Sequence, residues 1–533
     1  MTIWRREPRA DDPTQNAYPS HQAGAAPAAE GPETAFVRSL GWRLVALLLL
    51  GSFLLLCAVV SGHLYSSDGI AYFRAGEDLL VRRSWIFDPP MIWGGVFRVP
   101  ITPIGLSLAY WPALLLALPL LPFQPAYPLA TSGHLYNLAL FYADPVYIAI
   151  SWVNPLISAG IVVATASLAL RLGFGRRTAI AVGLAAVFSG PLFFYARADF
   201  PQPLSALLLV TALYLAVRVR QGEAAACGWI CLVLAAAILT RPVDGAMAAV
   251  ATVVVLTIPG RGWALPLRGR RAWVEVVAGT ALGLILTFAI NYARRGSPFD
   301  IGPASAGFIG PFRNGLAAEL FSPGRGLPWY LPLSFLAFVG ALVMWRSHRR
   351  ALLLGLAFPI APYLLVYAKW QDLGGWGWGP RYLTPMTPLV VIVAAWALRN
   401  GGGKARRLLS GALFVFLAVV GVLENFAHLG VDQLQGFWPT LGGNYIGTPG
   451  FWKQFGFEAF APVGSWSHYT GTPDVLWFRL MSATNGTSLV VFAGLLFCAG
   501  VCLMRAWRIT GSRSSGFPEH PGLGQHVRER PIE

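Results

Sequence analysis

Thirteen apolar runs are the strongest constraint on how this 533-residue chain can fold. They lie near 41–61, 101–122, 146–170, 178–194, 204–217, 225–239, 246–258, 272–290, 328–345, 351–368, 385–398, 408–424 and 487–504. A helix needs about 20 apolar residues to cross a bilayer, and most of the runs approach or reach that length. Charged residues make up only 12% of the chain, against about 25% in a soluble domain. Because so few charges cannot cover a soluble globule, the sequence predicts an all-α polytopic membrane protein.

The charges of the connecting segments predict the topology. Five short connections, at 171–177, 218–224, 259–271, 346–350 and 399–407, hold 16 Lys and Arg and one acid, Glu223. The other connections hold 14 Lys and Arg over 214 residues. Since basic residues concentrate in cytoplasmic loops, the short connections are predicted to be cytoplasmic. This assignment requires the 101–122 run to stay on the outer side as an interfacial or re-entrant helix, and it leaves about 12 spans.

The same topology places both termini in the cytoplasm and two large loops, 62–145 and 425–486, outside. It accounts for the net charge of +16, so no nucleic-acid partner is expected. Residues 1–40 are predicted to be a disordered tail, since they are rich in Ala, Pro and Gly, and 506–533 a second tail. Outer loops rich in Trp, Tyr, Pro and Gly indicate that function lies at the outer membrane–water interface.

Acidic residues follow several predicted spans on the outer side. Asp68 lies in the stretch Tyr65–Tyr72 just after the first span, among small and aromatic residues. A carboxylate there can reach a substrate at the interface, although Ser and Asp are also common helix caps. Asp199 occupies the next such junction, and Arg241 with Asp244 the one after. The last two are expected to pair, since an isolated charge at bilayer depth is costly, and the pair can simply close the turn.

Three stretches place arginine among glycine and proline at the outer interface. They are 291–299, 320–327, which contains Arg325, and 374–385, which contains Arg381 and Tyr382. Glycine lets backbone N–H groups approach an anion, and arginine can hold a phosphate through two donors. The alternative is that each arginine is an anchor that reaches the lipid headgroups. Three such stretches on one face favour an anion site built from Arg325 and Arg381.

These motifs resemble those of the bacterial GT-C glycosyltransferases, the superfamily of the protein O-mannosyltransferases and the lipid A aminoarabinose transferase. The resemblance rests on Ser67-Asp68-Gly69, Arg241–Gly245, Gly296-Ser297-Pro298, Phe321–Gly326 and Gly379–Tyr382, and it covers roughly 41–505. Many relatives carry two adjacent acids in the first outer loop, whereas here Asp68 is followed by Gly69. The resemblance implies a transmembrane catalytic domain over 41–505 in the bacterial inner membrane, with its active face extracytoplasmic.

The resemblance also implies the substrates and the roles of the residues. The donor is a sugar linked to a polyprenyl phosphate, and the acceptor is an envelope glycan, lipid or protein. Asp68 is expected to take the acceptor proton, with Asp199 placing the acceptor or a metal ion. Arg325 and Arg381 are expected to bind the donor phosphate, supported by Arg241, Asp244 and Tyr382. A divalent metal held by outer histidines is an open alternative, although His63, His134, His428 and His468 have no recognisable ligand spacing.

Two other functions are compatible with the same residues. A transporter or flippase of lipid-linked glycans would use the same arginines, but it needs charged residues along a path through the spans. The span interiors are almost free of charge. A structural subunit without catalytic activity would tolerate replacement of Asp68.

Overall fold

The computed structural model describes residues 39–63, 67–82, 105–123, 145–257, 269–299, 308, 310–346, 350–357, 359–370, 378–399, 404–427, 429–430, 453, 455 and 473–511. The predicted tail 1–40 lies almost wholly outside these residues, as do 512–533 and much of both large outer loops. The last helix continues to Gly511, past residue 506, and the predicted domain and tail boundaries stay predictions.

The described part of the chain is helical and contains no strand. Its α-helices are α1 Trp42–Ala58, α2 Ser67–Glu77, α3 Gly105–Ala117, α4 Pro145–Ile150, α5 Val153–Arg171, α6 Arg176–Phe188, α7 Leu192–Ala196, α8 Gln202–Arg220, α9 Cys227–Thr240, α10 Pro242–Thr257, α11 Gly269–Arg295, α12 Phe312–Phe321, α13 Leu327–Tyr330, α14 Leu333–Arg346, α15 Arg350–Ala357, α16 Ile360–Tyr367, α17 Thr387–Ala395, α18 Lys404–Ala427, α19 Leu476–Arg479 and α20 Thr487–Gly511. Tighter or wider helical turns cover Asp78–Arg82, Leu118–Phe123, Ala224–Ala226, Arg381–Met386 and Trp396–Arg399.

Each of the thirteen apolar runs coincides with helix, which confirms the predicted all-α fold. Within the described residues, seven helical segments are long and apolar enough to cross a membrane: Gly105–Phe123, Pro145–Arg171, Gln202–Arg220, Arg270–Ala293, Arg381–Arg399, Ala405–Ala427 and Thr487–Thr510. Five shorter apolar helical segments join them. The 101–122 run forms α3 and the turn after it, with Pro112 inside the helix. Its place at the interface stays a prediction.

The helices divide into central and peripheral ones. In the most apolar 18-residue stretch of Arg381–Arg399, 89% of the residues are buried, whereas in that of Thr487–Thr510 the share is 11%. A helix that is apolar on all sides must lie in a core or in lipid. The central segment, which contains α17, packs on α14, where an added Cβ at Gly340 would overlap the carbonyl oxygen of Val393. Missing side chains therefore let central helices approach closely, and the peripheral helices present apolar residues outward.

The end of α1 leads directly into the functional region. α1 packs along α20, with Gly51 against Leu503. Beyond it, the amide of Leu476 donates to the carbonyl of Val60 at 2.8 Å. The indole of Trp477 donates to the carbonyl of Cys57 at 3.0 Å. A segment late in the sequence is thus fixed to the exit of the first helix.

At the opposite ends of α5 and α8, one acid holds two arginines together. Glu223 accepts hydrogen bonds from Arg171 and from Arg218, the latter at 2.7 Å. Burial acts to raise the pKa of Glu223, but the two arginines hold it below its ordinary value. Glu223 is the one acid in the five short connections that are predicted to be cytoplasmic.

Candidate active site

Eight charged residues of the described part are buried as whole residues, and all eight fall in segments predicted to be on the outer side. They are Glu77, Arg197, Asp199, Asp244, Glu319, Arg325, Arg381 and Asp474. Burying a charge is costly unless it is paired or serves a function. These charges come from six separate outer segments of the sequence, so the fold concentrates its costly groups at one predicted level of the molecule.

Asp199 packs against the start of α2, which carries Asp68. An added Cβ at Gly69 would overlap the Asp199 carboxylate, and Asp199 itself is fully buried. Only glycine at position 69 leaves room for that carboxylate. The fold therefore brings Asp199 to the residue next to Asp68, although some 130 residues separate them in the sequence.

The stretch Ser67-Asp68-Gly69 opens a helix. α2 begins at Ser67, so Asp68 and Gly69 lie in its first turn. Gly69 is not among the glycines with a positive φ. The missing side chain of Gly69 leaves room for the Asp199 carboxylate, and the residue does not reverse the chain. The side chain of Asp68 lies outside the described part, and its role stays a prediction.

Arg325 and Arg381 lie against one aromatic cluster, made of Phe194, Tyr195, Phe200, Tyr330 and Trp378 together with Ala198. The guanidinium of Arg381 lies over the ring of Phe200, 4.7 Å from its centre. Arg325 donates to the carbonyl of Gly379 at 3.1 Å. Burial raises the pKa of the Tyr195 hydroxyl, while the charges of Arg381 and Arg325 act to lower it. The two arginines thus converge on Tyr195.

The burial of these arginines distinguishes them from headgroup anchors. Arg325 is 8% exposed and Arg381 is 7% exposed. An anchor that reaches lipid headgroups keeps its guanidinium in the wet interface. Guanidinium groups held in a low-dielectric, aromatic surrounding bind an anion more strongly than they would in water. The burial of the two arginines therefore fits an anion site better than a pair of headgroup anchors.

Gly379 shapes the wall of this site. Its φ of +54° lies in the left-handed region, where glycine has no steric penalty. An added Cβ there would lie 2.6 Å from the Tyr330 ring. The Tyr330 hydroxyl in turn donates to the carbonyl of Gly324 at 3.1 Å. Two of the glycine- and arginine-rich stretches noted in the sequence therefore meet through Tyr330.

Arg241 and Asp244 form the predicted pair, at 2.8 Å. Arg241 also donates to the hydroxyl of Tyr367 at 2.9 Å, and the ring of Tyr367 stacks on that of Tyr382, with 4.9 Å between centres. The Tyr382 ring lies near two guanidinium groups, 5.5 Å from that of Arg241 and 5.6 Å from that of Arg381. The pair is therefore connected to the arginine site through Tyr382, and its functional role stays a prediction.

A buried ionic network next to the site was not predicted. His63 Nε2 lies 2.9 Å from Oδ1 of Asp474, and Arg197 and Arg479 also contact this carboxylate. His63 and Asp474 are 411 residues apart, and no spacing in the sequence indicates their contact. No group of three or more His, Cys, Asp or Glu suited to a metal ion occurs in the described part of the chain. The other three outer histidines lie outside that part.

Comparison with known proteins gives one structural match. No protein-family model and no curated protein sequence matches the chain. The structure is similar to the crystal structure of ArnT from Cupriavidus metallidurans bound to undecaprenyl phosphate. The TM-score is 0.44 and the identity 16%, over 88% of this chain and 75% of that one.

Proposed function

We propose that this chain is a membrane glycosyltransferase that moves a sugar from a polyprenyl-phosphate donor to an acceptor on the outer face of the membrane. The observation that carries the proposal is that two buried arginines lie against one aromatic cluster, and that a buried carboxylate precedes a member of this cluster in the chain. Arg381 lies over Phe200, and Phe200 follows Asp199 directly in the chain. Arg381 thus contacts the residue that follows the acid in the chain, and an anion site beside an acid suits a reaction with an anionic leaving group.

The arginines act on the leaving group. The acceptor hydroxyl attacks the anomeric carbon of the donor sugar while the bond from that carbon to the phosphate oxygen breaks. The electron pair of this bond stays on the phosphate, which leaves as a polyprenyl phosphate. Arg325 and Arg381 stabilise the growing negative charge, and they do so best in a site that excludes water.

An acid next to the arginines accepts the proton that the acceptor hydroxyl loses. Asp68 and Asp199 are the two candidates, since the fold places Asp199 at the residue after Asp68. We assign the general base to Asp68, at the start of α2, and the placing of the acceptor to Asp199. Such acid–base catalysis typically contributes about 10²- to 10⁴-fold to a rate.

The proposal includes a topology and a location. The eight charged residues that are buried as whole residues in the described part lie in predicted outer segments, and the basic connections hold Glu223 at the other ends of α5 and α8. This supports a multi-pass protein of the bacterial inner membrane whose active face is extracytoplasmic and whose termini are both cytoplasmic. The acceptor is a glycan, lipid or protein of the envelope.

A transporter of lipid-linked glycans is the alternative. It needs polar or charged groups along a path between the two faces. The charged residues that are buried as whole residues in the described part all belong to predicted outer segments. The buried Arg171 side chain lies at the opposite ends of α5 and α8, so these charges mark the two ends of such a path and not its middle. The distribution favours an enzyme.

Lipid analysis of a strain that lacks the gene tests the proposal. We expect one polyprenyl-phosphate sugar to accumulate and one envelope glycan, lipid or protein to lose that sugar, as measured by mass spectrometry of lipid extracts. Wild-type protein should reverse both changes. Asp68→Asn should be expressed at a normal level and should fail to restore transfer, with a loss of about 10²- to 10⁴-fold.

Two results would contradict the proposal. Unchanged lipids in the deletion strain would remove the glycosyltransferase assignment. Accumulation of the donor in the cytoplasmic leaflet alone would favour the flippase, if transfer stays intact when the donor is supplied in the outer leaflet of vesicles. Full transfer by Asp68→Asn with loss by Asp199→Asn would keep the enzyme and move the base to Asp199.

A further inference from the structure

The segment between α7 and α8 carries Asp199, and side chains from elsewhere hold its backbone. Ser61 donates to the carbonyl of Arg197 at 3.2 Å. The amide nitrogen of Asn154 donates to the carbonyls of Ala198 and Phe200, the latter at 3.0 Å. Buried carbonyl groups need such donors because water does not reach them. The carbonyls on both sides of Asp199 are therefore bound to one side chain of α5.

Arg197 anchors the same segment in another direction. Its side chain is buried, and its Nε donates to the carbonyl of Val59 at 2.8 Å. Its terminal nitrogen donates to the backbone carbonyl of Asp474 and lies 3.3 Å from the Asp474 carboxylate. A guanidinium has its donors in a rigid plane, so these contacts fix Arg197, which lies two residues before Asp199.

Asp474 is itself held firmly. Its amide donates to the carbonyl of Leu429 at 2.6 Å, and its carboxylate also contacts His63 and Arg479. Burial acts to raise the pKa of Asp474, but His63, Arg197 and Arg479 hold it below its ordinary value. Asp474 is therefore an ionised, immobile partner for Arg197 at neutral pH. It connects the last outer loop, the exit of α1 and the segment of Asp199.

We propose that Asp474, acting through Arg197, and Asn154 are positioning residues for Asp199. They hold the segment 197–200 so that the Asp199 carboxylate packs at Gly69 beside Asp68. The fit there is tight, since an added Cβ at Gly69 would overlap that carboxylate. A displacement of about 1 Å in an active site can reduce a rate about 100-fold. This inference rests on the proposed function, because Asp199 matters only if transfer occurs there.

The test compares Asp474→Asn and Asn154→Ala with a matched control. Glu223→Gln is the control, since Glu223 also accepts from two arginines, at the far ends of α5 and α8. Donor sites in purified protein are counted with undecaprenyl phosphate as the probe. Transfer is then measured with the polyprenyl-phosphate sugar that accumulates in the deletion strain, and kcat is expressed per donor site. A merely structural defect lowers the number of sites and leaves the rate per site unchanged.

For both variants we expect kcat per site to fall about 10- to 100-fold, while KM for the donor changes by less than about twofold. The double variant should lose little more than the worse single one, because both changes act on one segment. Glu223→Gln should keep the wild-type rate per site. If Asp474→Asn does not fold, Asn154→Ala decides alone, since it leaves the ionic network intact.

The failure of the positioning role and the failure of the proposed function give different results. A rate per site within about threefold of wild type in Asn154→Ala, with Asp199→Asn inactive, would overturn the positioning role and keep the proposed function. Full activity of Asp199→Asn would remove Asp199 from the reaction and this inference with it. Absence of an accumulating donor would contradict the proposed function itself, and the positioning role would fall with it.

Discussion

Glu319 offers the sharpest test of the electrostatics of the buried outer region. It lies on α12 and is 3% exposed, and its Oε2 has no hydrogen-bond partner in the described part of the chain. Burial raises the pKa of this carboxyl from an ordinary 4.5 to about 9. A carboxylate without a compensating partner is costly in such surroundings, so Glu319 should be protonated at neutral pH. Replacing it by the neutral, similarly shaped glutamine should therefore be tolerated.

The raised pKa makes stability depend on pH with a definite sign. Between about pH 4.5 and 9, the folded protein holds a proton on Glu319 that the unfolded chain has lost. Folding is therefore favoured most below about pH 4.5, and this contribution disappears as the pH rises towards 9. The slope is at most about 1.4 kcal/mol per pH unit. At pH 7 the Glu319→Gln variant should thus be more stable than wild type by up to about 3 kcal/mol.

Thermal unfolding in detergent from about pH 5 to 9, the window set by the raised pKa, measures this effect. Wild-type melting temperature should fall relative to Glu319→Gln as the pH rises, and the two should agree near pH 5. Glu223→Gln is the control. Because the pKa of Glu223 is below its ordinary value, its difference from wild type should be constant over this range. A constant difference between Glu319→Gln and wild type would refute the reasoning and show that Glu319 is ionised or hydrated in the folded protein.

Three further predictions follow from the site. Gly69→Ala should reduce transfer about 100-fold with donor binding retained, because the added Cβ would overlap the Asp199 carboxylate. Gly494→Ala is the control and should have wild-type kinetics, since its added Cβ meets no atom within 4 Å. Arg381→Ala should weaken undecaprenyl phosphate binding, and Arg381→Lys should restore it only partly since lysine lacks the planar fork; equal binding by all three proteins would contradict the anion site. Reporters fused after Arg177 should report cytoplasm and those near Pro311 the outer side, and a cytoplasmic signal from Pro311 would invert the proposed active face.

The sequence alone was sufficient for the helices, whereas the outer level of the site stays a prediction. Each apolar run proved helical, because in a lipid surrounding the backbone must satisfy its own hydrogen bonds. Local charge patterns also predicted the Arg241–Asp244 pair, since its members are three residues apart and a single helical turn brings them together. These features depend on neighbouring residues and on the solvent, and both are readable from sequence.

Contacts between segments that are distant in the chain could not be predicted from the sequence. The Asp474 network joins residues from the first and last outer loops, and none of its members has a diagnostic spacing. The close contact between Gly69 and Asp199 is of the same kind. Glycine permits both a turn and a close contact, and the sequence does not show which residue packs against it.

Asp68 and Asp199 show where the division lies. Each is identifiable alone as an acid that follows a predicted span on the outer side. Their approach depends on a missing side chain at Gly69 and on carbonyls held by Asn154. Packing of this kind is decided by the shapes of several helices at once, so only the tertiary structure places the Asp199 carboxylate against Gly69.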